Sequence, residues 1–186
     1  MVRAKKVRKK VWFKVVAPEY FNKVELGEAL AAEAEELVGR TVETTLAELT
    51  GDLSKQHVKL LFEIKGVADG VANTELKEYS LSLPFLARLG RRNVTIMDEV
   101  IDVTTKDSKK LRMKFLIITL TKAHRRQCTQ IRKKLREIIS QEVSKTESKD
   151  IYLAVCNHTF QDRLFQTIKK IFPLRHLEVR KIEVRS

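Results

Sequence analysis

Glycine, proline and cysteine are scarce in this chain of 186 residues. Six glycines leave little material for a loop that cradles phosphate, and no Walker-type loop, GxGxxG or GxSxG occurs. That removes the common nucleotide-binding and serine-hydrolase signatures. Two cysteines, Cys128 and Cys156, show no framework spacing; they exclude a disulfide scaffold and fit a reducing, cytosolic setting. Aromatics make up only 6%, too few for the paired stacking aromatics of an RRM-type sheet. No apolar run approaches the length of a bilayer span. The N-terminus lacks the apolar segment of a secretory signal. Acid is missing from the first eighteen residues altogether.

What is present is positive charge, unevenly placed. Lys and Arg number 37 against 24 acids, a net charge of +13. Residues 1–18 carry seven bases and no acid, whereas residues 19–52 hold nine acids against Lys23 and Arg40. The remainder is basic again. Such polarity suits docking of one region on an anionic polymer or lipid surface while another is repelled. Residues 1–18 read as a basic arm, and residues 19–186 as a single globular domain, strand-rich over 40–121 and helix-rich over 122–186.

Periodicity gives the elements. Residues 24–39 (VELGEALAAEAEELVG) read as a short acidic helix or loop ending at Gly39. Residues 40–49 read as a strand, and 50–52 as a turn. Val58, Leu60, Phe62 and Ile64 alternate with partly charged neighbours, a strand pattern, and Asp69-Gly70 is the next turn. Residues 73–83 form another strand, with Tyr79, Leu81 and Leu83 on one face. Pro84 opens a short helix that Gly90 ends. Residues 94–103 and 111–121 flank a polar turn as a hairpin, the second strand buried on both faces at its end. Cys128, Ile131, Leu135, Ile138, Ile139 and Val143 recur at helical spacing in a helix over 124–145. Thr159 and Asp162 resemble a capping box, opening a helix that Pro173 closes. The last strand changes parity near Arg180-Lys181, the mark of a bulge. Strands, then two helices, then a strand predict an α+β fold, with a largely antiparallel sheet, open or barrel-like, packed with the C-terminal helices.

Two constellations could carry chemistry. His124 and Cys128, one helical turn apart, could join Cys156 and His158 around zinc; a buried core thiol beside an exposed histidine is the plainer explanation. Asp52 followed by Glu63 and Lys65 resembles the acid and Glu-x-Lys of metal-dependent nucleases; the wet face of a strand opposite Phe62 and Ile64 already explains Glu63 and Lys65 and is the plainer reading. The basic clusters are stronger. They comprise Arg3, Lys5, Lys6, Arg8, Lys9, Lys10 and Lys14 in the arm, Arg88, Arg91 and Arg92, the turn Lys106, Lys109 and Lys110, and Arg125, Arg126 and Arg132 in a stretch from Lys122 to Arg136 that contains no acid. Any one cluster could be a solvated face. Four together point to salt-sensitive phosphate binding, led by shape and backbone charge. Trp12 and Phe13 follow the arm directly, anchoring its root against the domain or on a base. A peripheral membrane protein is the other class open to such charge.

Longer segments carry a resemblance. VVAPEYFN (Val15–Asn22), GRTVE followed by LTGDLSKQHVKLLFEI (within Gly39–Ile64), VIDVTTKD (Val100–Asp107) and PLRHLEVRKIEV (Pro173–Val184) resemble, in order, the archaeal and eukaryotic small-subunit ribosomal protein S-three-A-e family, also called eukaryote-type S-one. The resemblance implies a structural, non-enzymatic protein of the cytoplasmic ribosome, with no cofactor and one copy per subunit. It implies binding to small-subunit rRNA on the platform near the mRNA exit, beside neighbouring ribosomal proteins and with mRNA close by. The basic residues named above, with Lys55 in the Ser54–His57 turn and Trp12, are the expected rRNA contacts. The length is archaeal-like.

Overall fold

Strands dominate the first two-thirds of the chain because β-branched and aromatic residues alternate there with charged ones. The computed structural model describes residues 9–90 and 92–185. In chain order the elements are β1 (Val11–Val16), β2 (Glu25–Ala31), β3 (Thr41–Thr45), α1 (Leu46–Thr50), β4 (Val58–Ala68), β5 (Val71–Leu81), α2 (Leu83–Leu89), β6 (Ile96–Thr104), β7 (Lys110–Thr119), α3 (Arg125–Val143), α4 (Ser148–Cys156), α5 (Thr159–Lys169) and β8 (Leu174–Arg185). The fold is α+β. The strands are hydrogen-bonded in the order β2-β1-β5-β8-β7-β6, with β3 and β4 off that path. The path has two ends, so the sheet is open and not the barrel that the sequence allowed.

The chain divides into two compact units: residues up to 44 with 60–77, and residues 45–59 with those from 78 onward. In the first, β1 pairs antiparallel with β2 and parallel with β5. β4 and β5 are joined by Asp69 and Gly70, both with positive φ (52° and 78°), the backbone a tight two-residue hairpin turn requires. The core is Val15, Ala31, Leu37, Ile64 and Ala72, with Phe13, Leu26, Ala29, Val42 and Val67 packed against it. The acidic segment expected to be helix or loop instead supplies β2 and a 3-10 turn at Ala34–Leu37. Its Ala, Glu and Leu favour helix, but pairing with β1 prevails. The register slips between Val15 and Val16, where Gly27 takes φ 136°, a conformation that side chains rarely tolerate.

In the second unit, the end of β5, then β8, β7 and β6 form an antiparallel run. The expected bulge is present: Lys114 opposes Lys181 and Phe115 opposes Val179, leaving Arg180 as the extra residue. Met97, Ile101, Met113, Phe115 and Ile117 face the long helices. Ile131, Leu135, Ile139 and Val143 make a fully buried stripe on α3, each one helical turn from the next. On the other face, Leu116 and Ile118 help line a groove of about 350 Å³ with Leu83 and Leu86 of α2. Cover on both sides explains why β7 is buried throughout its last five residues.

Several expectations are corrected. Residues 46–49 are not strand but the start of α1, capped by Thr45, whose hydroxyl accepts from the Glu48 N–H while Glu48 accepts from the Thr45 N–H. Leu83 does not continue the buried face of β5; it begins α2 and is 73% exposed. Three helices, not two, lie between β7 and β8. The Thr159–Asp162 capping box is absent: His158 is the cap residue, and the Thr159 hydroxyl donates to Ala154 O.

Candidate nucleic-acid interface

The basic residues on β1 follow strand alternation. Phe13 points to the first unit's core, so Trp12, its neighbour, must point away. Trp12 is 63% exposed and lies directly across from Leu30 on β2. Lys14 shares its face, and Lys10 immediately precedes the strand. Lys14 is 3.6 Å from Glu25; Lys9 and Lys10 are exposed. Arg3, Lys5, Lys6, Arg8 and Arg91 lie outside the described residues.

Two basic segments of the second unit meet at one knot of threonines. Thr119, fully buried, accepts from the Thr95 N–H at 3.0 Å through its hydroxyl oxygen, and its hydroxyl faces the carbonyls of Thr95 and Thr121. The Thr95 hydroxyl in turn accepts from the Ala123 N–H at 2.9 Å. Arg92 lies three residues before Thr95, and Arg125 and Arg126 follow Ala123 with only His124 between. Arg88 is in the last turn of α2, four residues before Arg92. Arg88, Arg92, Arg125 and Arg126 are all exposed, and no salt bridge joins any of them to a carboxylate of the described residues. Arg125 and Arg126 also occupy the first turn of α3, where the helix dipole is positive. Charge so placed does not favour the helix; it strengthens a field that attracts anions.

The other basic groups are placed differently. Lys106, Lys109 and Lys110 lie at the far end of the β6–β7 hairpin from Thr95. There the Lys106 N–H donates to Thr146 O, and Asp107 accepts from both the N–H and hydroxyl of Ser148 at 3.0 Å. The serine bonds hold the Asp107 carboxyl below its usual pKa. Arg132 and Arg136 straddle Glu99, which is 5% exposed, with Arg132 at 3.4 Å. Lys55 is half-buried, and its charge acts on Cys156 and His158.

The two weaker constellations have local explanations. Asp52 accepts from the Ser54 N–H at 3.1 Å and from its hydroxyl; those bonds, side chain first, lower its pKa. Burial pushes the Glu63 carboxyl up, but Lys77 and Lys65, each at 3.3 Å, outweigh it. No group of three or more His, Cys, Asp or Glu among the described residues is poised to hold a metal ion. No described helix is long and apolar enough to cross a membrane, and the apolar stripe of α3 is committed to the core.

A titratable cluster that sequence reasoning missed forms where α5 meets β8. Burial, then Asp162, raises the Glu178 carboxyl to about 7. His158 Nδ1 is 3.9 Å away; burial, then His57, holds its imidazole below the usual range. Glu178 is therefore about half protonated near pH 7, while the His158 imidazole is biased toward its neutral form. Burial pushes Cys156 up to about 12 and raises Tyr79 as well. No single-sequence signal marks Tyr79 and Glu178 as neighbours, because they sit on different strands.

Comparison with known proteins bears on the whole chain. The Ribosomal S3Ae family matches residues 2–186. A protein named small ribosomal subunit protein eS1 from Archaeoglobus fulgidus is 38% identical over 177 residues, 94% of this chain and 84% of that protein. Its namesake from Sulfurisphaera tokodaii is 39% identical over 175 residues, covering 94% and 91%. One from Saccharolobus islandicus is 37% identical over 179 residues, covering 96% and 86%.

Proposed function

This chain belongs to the Ribosomal S3Ae family, and from that premise we propose that it is a structural, non-enzymatic constituent of the small ribosomal subunit. It binds rRNA through backbone charge, one copy per subunit, among other subunit proteins in the cytoplasm. Its place is the platform near the mRNA exit, with mRNA close by. The observation that carries the reading at the level of residues is the threonine knot: it ties the segment after Arg92 to the segment before Arg125 and Arg126, and these arginines, like Arg88, form no salt bridge with a carboxylate among the described residues. A cationic patch kept free of the protein's own carboxylates suits phosphate. Lys9, Lys10, Lys14, Lys55, Lys106, Lys109, Lys110 and Arg132, with the cationic residues before position 9 and Arg91, extend the contact.

The test is direct. Small subunits are purified in moderate salt and the chain is quantified in the particle and in the free fraction. One copy per particle is expected. A chain recovered only in the free fraction defeats the reading.

A further inference from the structure

The sole tryptophan of the chain is held out of the core. Trp12 is 63% exposed, although Phe13 beside it is packed on the first unit's core. Its surroundings are open by construction. β5 pairs with β1 only from Lys14 onward, so Trp12 stands on a two-stranded ribbon of β1 and β2. Leu30, across from it and 36% exposed, gives the indole an apolar neighbour without covering it.

Charge selects the partner. The exposed face of β1 carries Trp12 and Lys14, and exposed Lys10 immediately precedes the strand. Glu25 lies 3.6 Å from Lys14, and Glu28 is the cross-strand partner of Lys14, so the acids at that end outnumber its lysine. Lys9 and Lys10, at the other end, make no salt bridge with a carboxylate among the described residues. An exposed indole with free cations on one side fits a nucleotide: the base against the ring, the phosphate toward Lys9 and Lys10. A base inside a continuous duplex presents no free face, so only an unpaired or splayed base can reach the ring.

We propose that Trp12, backed by Leu30, is a stacking seat for one unpaired nucleobase, so that this ribbon takes single-stranded or bulged RNA in preference to continuous duplex. The proposal rests on the rRNA-binding reading and narrows it to a strand type.

Because no other tryptophan is present, intrinsic emission reports on this residue alone. The full chain is titrated with a short single-stranded RNA and with a closed duplex lacking free end bases. Binding is followed separately by anisotropy of labelled RNA. The expected result is quenching of Trp12 in step with binding of the single strand and little quenching with the duplex. Trp12→Ala should weaken single-strand binding roughly tenfold with an unchanged salt slope, whereas Trp12→Phe keeps most of the affinity. Salt-sensitive RNA binding with no quenching and no effect of Trp12→Ala overturns the stacking seat and leaves the rRNA reading intact. Failure to bind either RNA overturns both. Quenching by rRNA-free subunit proteins, and not by RNA, assigns the indole to a protein neighbour and also overturns the seat.

Discussion

Glu99 on β6 is nearly fully buried and is ion-paired with Arg136 of α3, with Arg132 on its other side at 3.4 Å. A carboxylate so placed is tolerable only while its cations remain, since an unpaired buried charge is far costlier than the pair is favourable. Both guanidiniums are about half exposed, which tempers the effect. Arg132→Ala with Arg136→Ala should cost about 1–3 kcal/mol in chemical denaturation. Adding Glu99→Gln to that pair should recover part of the loss. Arg132→Ala alone should lower the Tm more clearly than it alters RNA affinity.

The four arginines at the threonine knot should behave in the opposite way. Each of Arg92→Ala, Arg125→Ala and Arg126→Ala should leave the Tm within experimental scatter. Each should reduce the slope of log affinity against log salt by about 0.7–0.9, one phosphate contact apiece. The measurement is rRNA-fragment binding across a salt series.

Thr119 supplies a sharper structural test. Thr119→Val preserves shape but removes the oxygen that accepts from the Thr95 N–H. A buried donor left without a partner costs ~1–3 kcal/mol. The same change should weaken RNA binding without removing any cation, because the two arginine segments lose their common anchor.

Glu178 makes stability depend on pH in a stated direction. Its folded pKa of about 7 lies above the ordinary value of 4.5, so the folded state holds the proton more tightly. The stability it contributes is complete below about pH 4.5 and falls as pH rises to about 7, beyond which the loss levels off. Asp162, His158 and Tyr79 are the titratable neighbours. Glu178→Gln should remove this slope and raise stability at pH 8 relative to the parent by at most about 3 kcal/mol. Denaturant unfolding between pH 5 and pH 8 on both proteins is the check.

Local pattern was informative wherever an element is stabilised by its own periodicity. The alternation of β4, the Asp69-Gly70 turn, the apolar stripe of α3 and the parity change at Arg180 all survive in the fold, because each reflects one face meeting one core. The composition of β2 is that of a helix, and only pairing with β1 makes it a strand. α4 escaped notice because its first turn is anchored by Asp107, 41 residues earlier. The rRNA candidates divide the same way. Their clustering in the sequence is plain, but charge count cannot separate Arg132, which attends Glu99, from Arg125 and Arg126, which face solvent.

By itself, then, the chain's order of residues determined its basic excess, the mixture of strands followed by helices, and the family segments. Tertiary structure alone decided that Trp12 looks outward while Phe13 looks inward. It also decided which arginines are free, and that Tyr79, Cys156, His158 and Glu178 share one buried site. The reason is physical: periodicity and propensity act over a few residues, whereas desolvation and ion pairing act between groups that only the folded chain brings within a few ångströms.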